Sequence, residues 1–390
     1  MTHIPYIPVL AIMSSQVSPD AEVVNENPKK GQIGLANLGN TCYLNAILQA
    51  LRHVPDLSVF FHKHSDSWIH EGDDKNALLC KAYKELVTGL WSGTAPGYMR
   101  PAGFLHHFRA ALRGTMVEHM IAPHPHDSHE ALVFLLDQLH EGMKKPLEME
   151  ITLEESAPAY KALLTWKRDV APHYSPIVDY FFGLMEVSVT CTDCKNVSCR
   201  YEPFNMLKVG FPDPKMATME QCIDYEFQGE PIGEYDCDAC KAKQKDDCEA
   251  CKANQKDECD ACKANKKPRG PAVIQRRIWQ LPKNLIIVLK RFNPNGSKCH
   301  ANFTAEHQQT FTKWFAAASP EASRTANYTL QSIVDHHGHA GGGHYTAQVK
   351  SPLTSQWNMY DDENVSMIKD GKSAHFGQMN YMLFYRVLKN

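Results

Sequence analysis

The sequence predicts an α+β fold with a helical N-terminal lobe, a cysteine-bearing β-excursion and a mainly β C-terminal lobe. Three observations carry this. From Gly34 to about Arg168, apolar residues recur at helical spacing. From Phe181 onward, the apolar runs are short, β-branched and often alternating. Between these regions the chain places four Cys-x-x-Cys pairs, the spacing of metal knuckles rather than of a disulfide framework.

The elements follow in order. Residues 1–30 are expected to be disordered, since 14–30 are polar. Ile4 to Met13 is mildly apolar but broken by Pro5 and Pro8, and no basic segment precedes it, so no signal peptide is expected. Asn37, Gly39 and Asn40 form a turn, followed by a helix with Leu44, Leu48, Leu51 and Val54 near one face. Asn40 or Thr41 is the expected cap. Further helices are expected at Ala77–Trp91, Phe104–Leu112 and Asp127–Met143, the last opened by Asp127 or Ser128, with Asp127-x-x-Glu130 resembling a capping box. Phe181–Thr190 reads as a strand, Cys191 to Cys194 as a knuckle at its end, and Tyr201–Val209 as the returning strand. Leu285–Phe292 suits a buried strand, and Tyr328–His337, His344–Lys350, Trp357–Asp361 and Tyr381–Val387 are further strands.

Composition narrows the function. A formal net charge of −3 argues against a general nucleic-acid binder. No apolar run approaches the 18 or so residues of a membrane span. The paired cysteines suit a reducing compartment.

Two stretches carry chemistry. Cys42 falls in the first turn of its helix, where unpaired N–H groups and the helix dipole favour a thiolate. Asn37, on the loop before it, has an amide able to donate to a developing oxyanion. A lone cysteine here also fits a small buried core residue. Near the C-terminus, Gly341-Gly342-Gly343-His344-Tyr345 precedes Tyr360-Asp361-Asp362. A cysteine nucleophile needs a base, and the base needs an orienting group. The chain order Cys, His, Asp suits a papain-like arrangement. On a strand, Asp361 and Asp362 point to opposite faces, so only one meets the imidazole. His336, His337 and His339 are read as loop residues.

Gly-Leu-x-Asn-x-Gly-Asn-Thr-Cys-Tyr at Gly34–Tyr43, Asp-x-His-Glu at Asp127–Glu130, Gly-Gly-His-Tyr-Thr-Ala at Gly342–Ala347 and Tyr-Asp-Asp at Tyr360–Asp362 together resemble the ubiquitin-specific protease family of deubiquitinating enzymes. The resemblance spans roughly 31–388. It implies a papain-like cysteine protease fold with a thumb (31–180), zinc-bearing fingers (181–277) and a palm (278–388), and Cys42 facing His344 at the thumb–palm cleft. It implies a thiol isopeptidase that acts on ubiquitin and ubiquitinated proteins. In that reading Cys42 is the nucleophile, His344 the base and Asp361 its orienting group. Asn37 and the Cys42 N–H serve the oxyanion, and Asp362 assists on that side. Asp127 and Glu130 are expected to bind arginines near the ubiquitin C-terminus, and Gly343 and Tyr345 to line the tail. Two positions depart from the family: His126 stands where Gln is usual before Asp127, and Ala131 where Phe is usual after Glu130. The resemblance implies no nucleic-acid or membrane partner, a cytoplasmic or nuclear location, and no cofactor in the chemistry. An inactive ubiquitin-binding scaffold and a zinc-finger nucleic-acid binder are the competing readings. Intact Cys42, His344 and Asp361 oppose the first, and the lack of a basic face opposes the second.

A structural zinc is expected on Cys191 and Cys194 with Cys237 and Cys240, or with Cys259 and Cys262 as the alternative second pair. Residues 236–268 repeat with an 11-residue period, giving three copies of Cys-x-Ala-Cys-Lys. On a continuous helix successive pairs lie roughly 16 Å apart, whereas thiolates on one zinc lie about 4 Å apart. A charged helix, a second zinc module and a loose insertion all remain open, and one zinc is the expectation because tight-turn residues are missing between copies.

Overall fold

Helix-period apolar spacing becomes a layer of helices around one core. The computed structural model describes residues 31–93, 97–246, 270–323, 326–369 and 371–388. In chain order the first lobe contains β1 (Gly34–Leu35), α1 (Cys42–Arg52), α2 (Pro55–Lys63), α3 (Lys75–Trp91), β2 (Tyr98–Met99), α4 (Ala102–Leu112), α5 (Ser128–Glu141), α6 (Tyr160–Asp169) and α7 (Pro176–Phe181). The three helices expected beyond α1 lie within a few residues of their expected bounds. α2, α6 and α7 are additions, two of them begun by a proline at their first position.

The β-excursion comprises β3 (Gly183–Cys191), β4 (Val197–Phe204), β5 (Leu207–Val209), β6 (Met216–Thr218), α8 (Met219–Glu226), β7 (Glu230–Tyr235), α9 (Asp238–Asp246) and β8 (Gly270–Gln280). Its antiparallel sheet runs β4-β3-β8-β7. The expected return strand 201–209 is corrected: it is split between two sheets. β4 pairs with β3, whereas β5 leaves and pairs in parallel with β9 of the C-terminal lobe. Leu207 and Val209 are buried there and exposed Lys208 lies between them, so the period-2 pattern seats β5 in the second sheet, over the apolar cluster it shares with Met185 and Val187 of β3.

The C-terminal lobe adds β9 (Asn284–Leu289), β10 (Asn302–Thr304), β11 (Gln308–Thr310), β12 (Asn327–His339), β13 (Gly342–Lys350), β14 (Trp357–Asp361), β15 (Asn364–Met367) and β16 (Asn380–Val387). All but β10 join β5 in an eight-stranded sheet ordered β15-β14-β13-β12-β16-β9-β5, with β11 also on β12, while β10 pairs in parallel with β6. His336, His337 and His339 lie on β12 and not in a loop, because pairing with β13 continues to His339↔Gly342. Among the described residues no helix is long and apolar enough to cross a membrane. Residues 1–30 and the second and third Cys-x-x-Cys repeats fall outside the described residues.

Every residue of α1 is buried, its polar ones included, because it forms the wall shared by both lobes. One apolar cluster joins Leu44, Ile47, Leu48 and Leu51 of α1 to Val334, Ala347 and Tyr360 of the sheet. Gln49 donates to the Ile33 carbonyl and Arg52 Nη2 to the Gly31 carbonyl, and the Arg52 guanidinium lies 5.0 Å from the Trp91 ring and 5.3 Å from the Tyr360 ring. Leu48 is 1% exposed. Leu48→Ala should therefore cost about 2–5 kcal/mol, read as a lower midpoint in chemical denaturation with an unchanged slope.

Candidate active site

Cys42 is the first residue of α1, and Thr41 stands at the N-cap. Thr41 does not cap with its side chain, contrary to expectation. Its Oγ1 accepts from the Leu38 N–H at 2.9 Å, and so holds the loop rather than the helix. Asn40, the other expected cap, adopts φ +53°, and its amide donates to the Pro123 carbonyl at 2.8 Å. The helix start therefore leaves its N–H groups directed at the Cys42 sulfur instead of at a capping oxygen. Backbone N–H groups of Tyr345, Tyr43 and Cys42 itself all act on that thiol. Tyr345 is the residue after His344, so β13 brings the imidazole-bearing position beside the thiol.

The expectation of an acidified thiol is corrected for the free protein. Burial pushes the Cys42 thiol up, and the Asp362 carboxylate adds to this, outweighing the N–H groups that pull it down. A negative charge built into the site thus opposes a standing thiolate.

His344 Nε2 lies 2.6 Å from Asp361 Oδ1. Facing a carboxylate, Nε2 carries the proton and donates, which leaves Nδ1 as the basic nitrogen. Asp361 ends β14, and Asp362 has already left the strand: its φ is +48°, in the turn closed by Asp361↔Asn364. The expected placement of the two carboxylates on opposite faces is therefore corrected: the turn brings both within 4.8 Å of each other and of His344, although only Asp361 bonds the imidazole. Asp362 Oδ2 accepts from the Asn37 amide and Oδ1 from the Asn45 amide, each at 2.8 Å. Asn37 Oδ1 accepts from the N–H groups of Gly39 and Thr41 at 3.0 and 3.2 Å. Asn45 was not singled out from the sequence. Its signal was a polar residue three positions after Cys42, within the apolar first two turns of the helix.

The other expected site residues separate into two groups. Asp127 caps α5, accepting from the N–H groups of His129 and Glu130, and also takes the Tyr381 hydroxyl at 2.9 Å. Glu130 does not close a reciprocal box, because its carboxylate meets His119 Nε2 at 3.1 Å and remains partly exposed. Of the pair, Glu130 is the carboxylate accessible to a ligand. Gly343 answers an internal demand: a Cβ there would lie 2.1 Å from the His337 carbonyl oxygen. Tyr345 is 5% exposed, with its ring 4.6 Å from that of His336, so it is a core residue.

At the end of the β-excursion, Cys191, Cys194, Cys237 and Cys240 bring their sulfurs within 4.8 Å of one another. Cys191–Cys240 and Cys194–Cys237 are 3.8 and 3.5 Å apart. These are the separations of four thiolates around one tetrahedral ion, so the cluster can hold a metal.

Comparison with known proteins agrees with this geometry. The model of the ubiquitin carboxyl-terminal hydrolase family matches residues 33–385. The chain belongs to that family. Ubiquitin carboxyl-terminal hydrolase 2 of Bos taurus is 26% identical over 96% of this chain and 58% of its own length. Ubiquitin carboxyl-terminal hydrolase 4 of Saccharomyces cerevisiae strain YJM789 is 27% identical over 90% of this chain and 39% of its own. The chain therefore spans well under two thirds of these relatives. A solved structure of the SAGA Ubp8/Sgf11/Sus1/Sgf73 DUB module bound to ubiquitin aldehyde is similar in fold, with a TM-score of 0.67, 21% identity, and coverage of 97% of this chain and 74% of that one.

The raised thiol gives a direct expectation for the free protein. Alkylation of Cys42 by iodoacetamide, followed by mass spectrometry, should still accelerate as pH rises through 9. In Asp362→Asn the loss of a nearby negative charge should move that rise to lower pH. Coincident profiles would remove Asp362 from the electrostatics of the thiol.

Proposed function

We propose that this chain is a cysteine-type deubiquitinase, a thiol isopeptidase that hydrolyses the bond after the C-terminal glycine of ubiquitin on proteins or within polyubiquitin. One observation carries it: His344 on β13 pairs with Asp361 on β14 at 2.6 Å, and the N–H of the next β13 residue, Tyr345, acts on the Cys42 thiol. The same reading divides the chain into residues 31–180 as thumb, 181–277 as fingers and 278–388 as palm, with β5 crossing from the finger segment to the palm sheet.

In this reading His344 Nδ1 takes the Cys42 proton as the sulfur attacks the glycyl carbonyl. Because burial raises the free thiol, the attack relies on the imidazole as its base. The Cys42 N–H and the Asn37 amide serve the oxyanion, with Asp362 holding the Asn37 side chain in place. The amine leaves with a proton from His344, and a thioester remains. His344 then activates water to release ubiquitin, while Asp361 holds the proton on Nε2 so that only Nδ1 gains and loses one. Glu130 is the carboxylate offered to arginines of the ubiquitin tail, and Asp127 positions it by capping the helix. Zinc is the ion assigned to Cys191, Cys194, Cys237 and Cys240, where it would tie β3 to α9 without entering the reaction. Free thiols throughout the described residues suit a reducing cytoplasmic or nuclear setting.

Cys42→Ser should abolish hydrolysis of a ubiquitin C-terminal amide while leaving the fold intact, and only the wild type should form an adduct with ubiquitin vinyl sulfone. Asp361→Ala should lower turnover by roughly 10²- to 10⁴-fold. Activity retained in Cys42→Ser, or no adduct in the wild type, would sink the assignment and leave the inactive scaffold. Elemental analysis should give one zinc per chain, and deletion of 247–268 should not change it. Two zincs falling to one would make the repeat a second metal module.

A further inference from the structure

β12 outruns the strand on its far side. Its pairing with β16 ends at Asp335↔Asn380, after a register shift between Val334 and Asp335. Its pairing with β13 continues from His336↔Tyr345 to His339↔Gly342. The segment with His344, opposite His337, is therefore a two-stranded ribbon projecting from the sheet. Such a ribbon is only marginally stable by itself.

The unpaired edge of that ribbon is occupied by a buried ammonium. The His336 N–H donates to the Met379 carbonyl at 2.8 Å, so this edge of β12 faces the β16 side. A strand residue's N–H and C=O share an edge, and alternate residues repeat it. The carbonyls of His336 and Gly338 thus face the space that β16 vacates. Lys298 Nζ fills it, donating to the His336 carbonyl at 2.6 Å and the Gly338 carbonyl at 3.2 Å. These carbonyls flank His337, the cross-strand partner of His344.

Lys298 is itself held rigidly. It is 8% exposed. The Cys299 N–H donates to the Arg291 carbonyl at 2.7 Å, and fully buried Arg291 donates to the Cys299 and Ala301 carbonyls at 3.0 Å and to Gly377 and Asn380. Burial, with Arg291 adding to it, lowers Lys298 to about 8, while Asp335 acts the other way, so at neutral pH its bonds remain charge-assisted. A lysine without a structural duty would reach solvent instead.

We propose that Lys298 is a positioning residue for the reaction: its buried ammonium braces the projecting β12–β13 ribbon and so sets His344 against Asp361 and the Cys42 thiol. The inference rests on the thiol-isopeptidase reading given above. In the full chain, Lys298→Met should lower kcat for a ubiquitin C-terminal amide roughly tenfold with KM within about twofold, as for a displaced catalytic group. Lys298→Gln, which keeps one donor, should fall between. Two-bond ¹H–¹⁵N spectra of the imidazoles should show His344 as the Nε2–H tautomer in the wild type and as a mixture in Lys298→Met. A folded Lys298→Met protein with unchanged kcat and a single tautomer would overturn the proposal, as would a rise in KM at constant kcat. If Lys298→Met fails to fold, Lys298→Gln decides by the same two measurements. A wild type inert toward ubiquitin would instead overturn the proposed activity, and the spectra alone would then decide for or against Lys298.

Discussion

The carboxylate of Asp362 joins the two halves of the site. It accepts from Asn37 on the loop before α1 and from Asn45 within α1, bridging positions 325 and 317 residues apart. Its own carbonyl takes the Leu35 N–H. The turn that makes this possible holds a non-glycine residue at positive φ, a conformation that surrounding contacts must maintain. A Cβ on Gly34 would lie 2.2 Å from the Glu363 carbonyl, so the loop before α1 lies directly on this turn. The helix carrying Cys42 and the strand carrying Asp361 are thus aligned by one anion.

That anion also works against the nucleophile. The negative charge that secures the loop raises the Cys42 thiol, in the same direction as burial. Helix-start N–H groups alone do not outweigh the two. Under the proposed function, the imidazole is therefore the group that takes the thiol proton. The Nε2–Asp361 bond is what leaves Nδ1 available for this.

Buried polar groups under the sheet follow one pattern. Asp335, pushed up to about 6 by burial, accepts from Gln348 and Asn380, and along the same face the imidazole of His337 meets Thr346 Oγ1 at 3.1 Å. Charged and amide side chains are concentrated where strands end or bulge, since there backbone groups lose their ladder partners and must be satisfied otherwise. Asp127 and Glu130 divide labour on the same principle. The one nearer the helix start is consumed by N–H groups and Tyr381, and the one a turn later stays accessible.

The sequence by itself determined the fold class, the helices α3 to α5 and the strands β12, β13, β14 and β16, because apolar periodicity and turn residues act locally. It also determined Cys42, His344 and Asp361 as the chemical candidates, by their order and flanking motifs. Only the tertiary structure decided that 201–209 divides between two sheets, that Asp362 turns away from the strand to clamp Asn37 and Asn45, and that Thr41 braces a loop instead of capping a helix. It brought Cys237 and Cys240 to Cys191 and Cys194, the pairing expected from the family resemblance, whereas the spacing alone left Cys259 and Cys262 as an alternative. Lys298 had no signal in the sequence at all. Its role depends on where β16 stops relative to β12, a register set by packing between distant strands rather than by any local pattern.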